Sequence, residues 1–425
     1  VTTKVTTPER SVTVLTAARV FDGSGRAAIR NGAVMIERDR IMRVGRATEM
    51  TSPEGAGVDR IDYGDATIMP GLVDAHTHMC APGDGTPGDE VAKEHDDMLL
   101  LQAAKNARTV LHSGVTTARE NGAKNRVAFS LREGIRRGLA VGPRMVICGR
   151  PVAITGGHMG YFGSEADGED AVRREVRKLL KEGADYIKIT ATGGSTRTSD
   201  PNRASFTVAE LRVMTDEAHR AGKLAAAHCT SAQGVQNCLD AEVDMIIHCV
   251  FVEPDGRYRF RSDLVERLVK AKAWVNPTLY VQRARIDRLE RKRERMGGLT
   301  PAEEQEIEAI KRTSDVRIDA VGRMVRAGVR MVAGSDSPWG WYAPGEFVNE
   351  IRTLADAGLT NRDAILSGTS GAADSIGVGA AAGRLEAGRP ADIMVAAGDP
   401  TRDLRALWNV VDVFKAGARV DRGVR

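Results

Sequence analysis

The chain has 425 residues, 42% of them apolar and 28% charged, an ordinary globular composition with length enough for a large core or for more than one domain. Its 61 basic and 57 acidic residues leave a formal net charge of +4, and aromatic residues make up 4%; so balanced a charge, with so few stacking side chains, argues against a nucleic-acid or membrane-surface partner. No run of 18 apolar residues reads as a membrane span, the first twenty residues lack the apolar core of a secretory signal, and the five cysteines (Cys80, Cys148, Cys229, Cys238, Cys249) form no C-x-x-C pair, so they read as reduced thiols of a cytoplasmic protein.

Residues 11 to 70 read as short strands divided by turns: "SVTVLTAARVF", "GAVMIERDRIMRVG", "ATIMP", with "ERDR" as a hairpin turn. The stretch "PGLVDAHTHM" (70–79) then ends an apolar run with His76 and His78, just behind Asp74. In a strand, residues i and i+2 face the same side, so both imidazoles can grip one ion. His-X-His also occurs in ordinary strands, so the rest of the chain has to decide. From here short apolar runs alternate with longer amphipathic stretches. The runs are "LVDAHTH", "GVTTARE", "PRMVICG", "ADYIKIT", "KLAAAHC", "DMIIHC", "AWVNPTL" and "VRMVAGSD". One helical stretch, "TVAELRVMTDEAHRAG", opens with a capping box of Thr207 and Glu210. Eight strand–helix alternations predict a (β/α)8 barrel. Residues 281 to 325 are too long for one ordinary connection; they read as charged helices over the barrel mouth, in a subunit contact, or simply solvated. Residues 384 to 420 return to short strands, with a Lys-Ala-Gly turn in "VVDVFKAGARV", so the two ends read as pieces of one small β domain.

Polar residues recur at the C-terminal ends of the apolar runs: His76 and His78, Lys188, His228, His248 and Asp336. In a barrel those ends meet at one face, where active sites are built. Singly, each has a plain explanation: a buried histidine with a partner, or an aspartate in a turn. Lys188 is harder to explain, because it stands between Ile187 and Ile189, where an unpaired ammonium is costly. Together the six predict a metal site. Cys229 and Cys249 each follow one of these histidines and should point away from it, into the core; Cys80 is expected to pack.

The sequence resembles the amidohydrolase superfamily, in the branch of imidazolonepropionases and prolidase-like enzymes, through "MPGLVDAHTH", "GVTTARENG", "GPR", "TGGH", "ADYIKI", "AHC", "IHC", "GSDS" and "GRLEAGRPADIMV". The resemblance runs nearly end to end. It implies an α/β fold: a distorted (β/α)8 TIM barrel over residues 71–375, with a small β-sandwich domain built from both termini, 1–70 and 376–425. It also implies that Lys188 is carboxylated (N6-carboxylysine) and bridges two divalent metal ions, for which zinc suits the ligands best. His76, His78, Lys188 and Asp336 would hold one ion; Lys188, His228 and His248 the other. The implied function is hydrolysis of a C–N (amide-type) bond of a small molecule such as an N-acyl amino acid or dipeptide, by a homo-oligomer. Asp336 would move the proton from water to the leaving nitrogen. His158 in "ITGGHMGYFG" would contact the substrate carbonyl or its oxyanion, and Tyr161 on the same loop is a pocket candidate.

Two positions depart from the branch. "GVTTARENG" carries Glu120 where an aspartate is usual, and "AHCTSAQ" offers Thr230 where prolidase-like members have a carboxylate-reading tyrosine. Thr230 implies less dependence on a free α-carboxylate, unless Arg197 or Arg203 reads it instead. A carbamate or urea hydrolase, akin to molinate and phenylurea hydrolases, is one alternative. A mononuclear deaminase is another, although deaminases of this superfamily do without the strand-four lysine. A non-catalytic binding protein on the same fold is the third, although such proteins lose ligands that are all present here.

Overall fold

In the computed structural model, which describes residues 11–51 and 57–423, both ends of the chain enter one sheet. The N-terminal strands are β1 (Ser11–Val20), β2 (Ile29–Glu37), β3 (Arg40–Arg46), β4 (Gly57–Asp62) and β5 (Ala66–Pro70). Eight more follow: β6 (Leu72–Thr77), β7 (Val115–Glu120), β8 (Arg144–Ile147), β9 (Ile187–Thr190), β10 (Ala225–Ser231), β11 (Met245–Val252), β12 (Trp274–Asn276) and β13 (Arg330–Met331). The C-terminal strands are β14 (Ile393–Ala397), β15 (Val410–Lys415) and β16 (Ala418–Arg419).

The terminal strands bond in the order β16-β15-β14-β5-β1-β2-β3, with β4 alongside β1. β5 joins the halves: it pairs β14 antiparallel and β1 parallel. The expected sandwich is therefore, by hydrogen bonding, one unbroken eight-stranded sheet. Alternation along β2 sends Val34 and Ile36 to an apolar cluster with Ile68, Ile393 and Phe414, and Ala33 and Met35 to another with Val12 and Val14. "ERDR" is the predicted hairpin turn, with Arg38 at φ 56°. The Lys-Ala-Gly turn joins β15 to β16 as expected.

Each of the eight predicted middle runs contains a strand, and every bonded pair among them is parallel. They form two sheets, β6-β7-β8 and β9-β10-β11-β12-β13, in a TIM-barrel-like α/β arrangement. The ladders do not close into a continuous barrel. One seam is spanned by a bridge between Val152 and Ile189, the other by one between Thr77 and Ser337. The second seam is narrow because β13 has only two strand residues before the chain bends at Asp336, φ 64°. Backbone bonds still hold it: Asp336 N–H donates to His76 O at 2.8 Å and His78 N–H to Ser337 O at 2.9 Å.

Residues 281–325 form two helices, Tyr280–Met296 and Pro301–Arg326, joined by residues 297–300. Pro301 and a Thr300–Glu303 capping box start the second. Arg285–Glu306, Lys292–Glu303 and Arg293–Glu304 pairs, at 2.8, 2.5 and 2.6 Å, clamp it to the first. The first helix is anchored by buried Glu350, whose carboxylate accepts from the N–H groups of Leu279 (3.0 Å) and Tyr280 (2.8 Å). These donors open a helix and have no intrahelical acceptor.

Candidate active site

The strand ends bring the predicted residues together. His76 Nε2 lies 3.2 Å from His78 Nε2, and Asp336 Oδ1 lies 3.2 Å from the first and 3.3 Å from the second. Their other contacts assign the protons. Asn276 donates through Nδ2 to Val332 O and Gly334 O, so its Oδ1, 3.0 Å from His76 Nδ1, is an acceptor and His76 carries its proton on Nδ1. His78 Nδ1, 3.2 Å from Gly122 O, must likewise donate. With both imidazoles neutral, two Nε2 lone pairs and a carboxylate oxygen face one another with no hydrogen between them. Three buried acceptors at such distances repel unless a cation sits among them. Gly334 permits the approach, since a Cβ there would lie 2.8 Å from both Asn276 and His76.

His228 and His248 continue the cluster, with ring centroids 4.6 Å apart, and His248 lies 5.8 Å from His76. His228 Nε2 is 3.0 Å from Gly193 O and must donate, leaving Nδ1 as its free lone pair. His248 Nδ1 is 2.6 Å from Thr278 Oγ1. Lys188 is 1% exposed, and its amine has no hydrogen-bond or ion-pair partner among the described residues. Burial pushes it down to about 8, with Asp336 opposing and Arg119 adding to the shift. Burial first, then neighbouring positive and imidazole groups, holds His76, His228 and His248 well below the usual histidine range. They are neutral, as ligand imidazoles have to be.

His158 stacks on His228, 4.5 Å between centroids. Its Nδ1 is 3.1 Å from Thr196 Oγ1, which also accepts the Met159 N–H. In the tautomer in which the Thr196 hydroxyl donates to Nδ1, His158 carries its proton on Nε2. Burial, with Lys188 and His78 adding, pushes His158 down to about 3. Gly194 sits against the ring, where a Cβ would come within 2.7 Å.

A cavity of about 830 Å³ opens over the cluster, with His228, His248, Asp336, Thr230 and Trp339 among its lining. The two insertion helices form another wall, through Val281 and Gln282 on the first and Arg312, Thr313, Val316 and Arg317 on the second. Of the three readings of residues 281–325, placement over the site is the one seen in the described chain. Thr230 lines the cavity, but its hydroxyl donates to Pro201 O at 2.7 Å. Tyr161 and Arg197 do not line it. Tyr161 packs edge-on against Phe162, 4.8 Å away, with its hydroxyl buried; Arg197 is exposed and acts on Glu90. Glu120 is buried behind the site, accepting from Met79 N–H at 2.7 Å, and burial raises it to about 7. Cys229 points away as expected, its Sγ 3.4 Å from that of Cys238, and Cys80 and Cys249 pack in the core.

Sequence reasoning missed the residues that orient these groups. Asn276 and Thr278 lie within "AWVNPTL", a run that offered no ligand of its own. Asp74 ties the seam, accepting from Ser335 N–H (2.9 Å), Ser335 Oγ (2.6 Å) and His76 N–H (3.0 Å), while burial raises it to about 7. Trp339, 5.0 Å from His78 between ring centroids, was also missed. Only Asp74, adjacent to the histidine pair, carried a sequence signal.

The sequence profile of the amidohydrolase family matches residues 67–420. The chain is 26% identical over 447 residues to ochratoxinase from Aspergillus niger, covering 97% of this chain and 87% of that protein. It is 27% identical over 195 residues to an imidazolonepropionase from Acidiphilium cryptum, covering 44% of this chain and 42% of the relative. Among solved structures, a Xaa-Pro dipeptidase with methionine bound in its active site superposes with a TM-score of 0.81 at 25% identity, over 96% of this chain and 100% of that one. Molinate hydrolase superposes with a TM-score of 0.80 at 22% identity, over 98% and 96% of the chains, a likeness of fold alone.

Proposed function

Because this chain belongs to the amidohydrolase family, we propose that it is a binuclear metal-dependent hydrolase that cleaves an amide-type C–N bond of a small, largely apolar molecule. The observation that carries this reading is the meeting of His76 Nε2, His78 Nε2 and Asp336 Oδ1 within 3.3 Å of one another. His228 Nδ1, His248 and Lys188 complete the donor set, with Lys188 as N6-carboxylysine. Lys188 is buried and unpartnered, and a carbamate would replace its ammonium by an anion that two ions could share. Imidazole and carboxylate-like oxygen donors suit zinc. Bound divalent ions would supply Lewis acidity, polarising a carbonyl and lowering the pKa of water.

The chain's own residues supply the rest. Asp336 reaches the cavity, where it would take the proton of the attacking water and hand it to the leaving nitrogen. His158, neutral, would donate to the developing oxyanion from Nε2 in the tautomer that carries its proton there. Trp339 and the valines of the cavity wall would exclude water and seat an apolar group. In this reading residues 71–375 form a distorted (β/α)8 barrel, and 1–70 with 376–425 the smaller β domain. Five free, buried cysteines suit a cytoplasmic enzyme, and a homo-oligomer is expected.

N-acyl amino acids and dipeptide-like amides are the proposed substrates; carbamates and ureas of similar size present the same carbonyl and are the alternative. The test combines metal analysis with a screen of N-acyl amino acids, Xaa-Pro dipeptides, carbamates and phenylureas on zinc-loaded protein. Two ions per chain and turnover of at least one class are expected. Two ions with no hydrolysis across the panel, or one ion with deaminase activity, would reject the reading.

A further inference from the structure

The second insertion helix brings a cation into the cavity that pairs with no carboxylate among the described residues. Arg317 lines the cavity and is part-buried. Its one hydrogen bond is to Pro277 O, and among the described residues no carboxylate lies within ion-pair distance of it. The acids that act on it through space, Glu350 and Asp336, are placed elsewhere: Glu350 on two backbone N–H groups, Asp336 beside His76 and His78. A guanidinium has five N–H donors in a planar fork, so most of this one's capacity is free. On the loop after β11, Tyr258 lines the same cavity, and its hydroxyl is buried beside it with no hydrogen-bond partner among the described residues. Arg312, exposed on the same helix as Arg317, adds a second positive charge to the lining. Val250, Val252, Val281 and Val316 surround these groups with apolar surface.

A half-buried cation and a buried phenol, both short of acceptors, in a cavity that also reaches Asp336 and His248, form a receptor for an anion. Each unmade bond costs free energy that an acceptor on the ligand would recover. We propose that Arg317 and Tyr258 make a carboxylate-reading subsite, so that the preferred ligand is a carboxylate joined to an apolar body. The subsite supplies from the insertion helix and the β11 loop what Thr230, already bonded to Pro201 O, does not. As a statement about substrate this rests on the hydrolase reading above; as a statement about binding it stands alone.

Calorimetry of the metal-loaded full chain tests it, with 3-phenylpropanoate and 3-phenylpropanamide as probes. The acid should bind more tightly than the amide. Arg317→Met should weaken the acid by about 10–100-fold, the loss expected for a charge-assisted hydrogen bond, and leave the amide and the metal content unchanged. Arg317→Lys should restore part of the loss. Tyr258→Phe, which deletes only an unpartnered hydroxyl, should weaken the acid several-fold, and it carries the test if Arg317→Met fails to fold. Equal binding of acid and amide by the wild type would overturn the proposal. So would an equal loss of both probes in Arg317→Met, since Arg317 would then only brace Pro277 and Thr278 behind His248. Because the acid has no amide bond to cleave, its binding is read without turnover, and a protein that cleaves no amide yet holds the acid through Arg317 rejects the hydrolase reading and keeps the subsite.

Discussion

At the scale of single residues, proton positions decide what the site can hold. Asn276 is the clearest case: by accepting from His76 Nδ1 it turns the Nε2 lone pair toward His78 and Asp336. Asn276→Leu keeps the branched shape and removes the acceptor, together with the donors to Val332 O and Gly334 O. Metal affinity should fall about 10–100-fold, as for other partners that orient a ligand from behind, with competitive chelation as the measurement. Lys188→Ala should lose metal and activity together, and short carboxylic acids should restore part of both; full metal content in that variant would exclude a bridging role. Asp336→Asn separates holding from proton transfer. Five donors remain, so metal content should survive better than turnover, which should drop about 10²–10⁴-fold; a near-normal turnover number would refute the assigned role. His76, His78, Lys188, His228, His248 and Asp336 were legible because each ends an apolar run. Asn276, Thr278 and Arg317 were not, because an amide, a hydroxyl or one more arginine on a charged helix looks like any other until its neighbours are known.

At the scale of elements, the periodic signals were the dependable ones. All eight middle runs contain strands, and the Thr207–Glu210 capping box starts its helix, with the Glu210 N–H donating to Thr207 Oγ1 at 3.3 Å. The insertion was legible as helical but not as part of the cavity, since its charge pattern suits a solvated pair equally well. Its anchor, Glu350, makes a testable point about pH. Burial raises this carboxyl to about 7 from its ordinary 4.5, against the two backbone donors and Arg317, which lower it. Between these values the unfolded chain has released the proton that the folded protein keeps. The native state then binds more protons, so stability attributable to this group falls as pH rises from about 4.5 to 7. Glu350→Gln should flatten that part of the stability–pH curve. It should also cost about 1–3 kcal/mol, because an amide has one acceptor for two buried N–H donors. Denaturant unfolding at several pH values would measure both, and an unchanged slope would show that Glu350 does not titrate in this range.

At the scale of the whole molecule, the site stitches together strands that the ladders leave apart. His76 stands on one sheet with His78 just past the end of its strand, Lys188, His228 and His248 on the other sheet, and Asp336 on the loop across the β13–β6 seam. Ions held among them would tie both sheets, so stripping metal with a chelator should lower the thermal midpoint, and adding zinc back should restore it. Ligand at about 100 times its dissociation constant contributes about 2.7 kcal/mol to the folded state; identical midpoints with and without metal, by calorimetry, would count against a site that bridges the seam. By itself the sequence determined the alternation of strands and helices, the β character of both ends, and which strand ends carry imidazole, amine and carboxylate, because these follow from local periodicity and from the direction in which a strand points its side chains. Only the tertiary structure decided that the terminal strands bond as one sheet, that Asn276 and Gly122 O direct the lone pairs of His76 and His78, and that Arg317 and Tyr258 enter the cavity with bonds unmade. Those facts depend on contacts between residues tens to hundreds of positions apart, and no local pattern encodes which distant group will meet them.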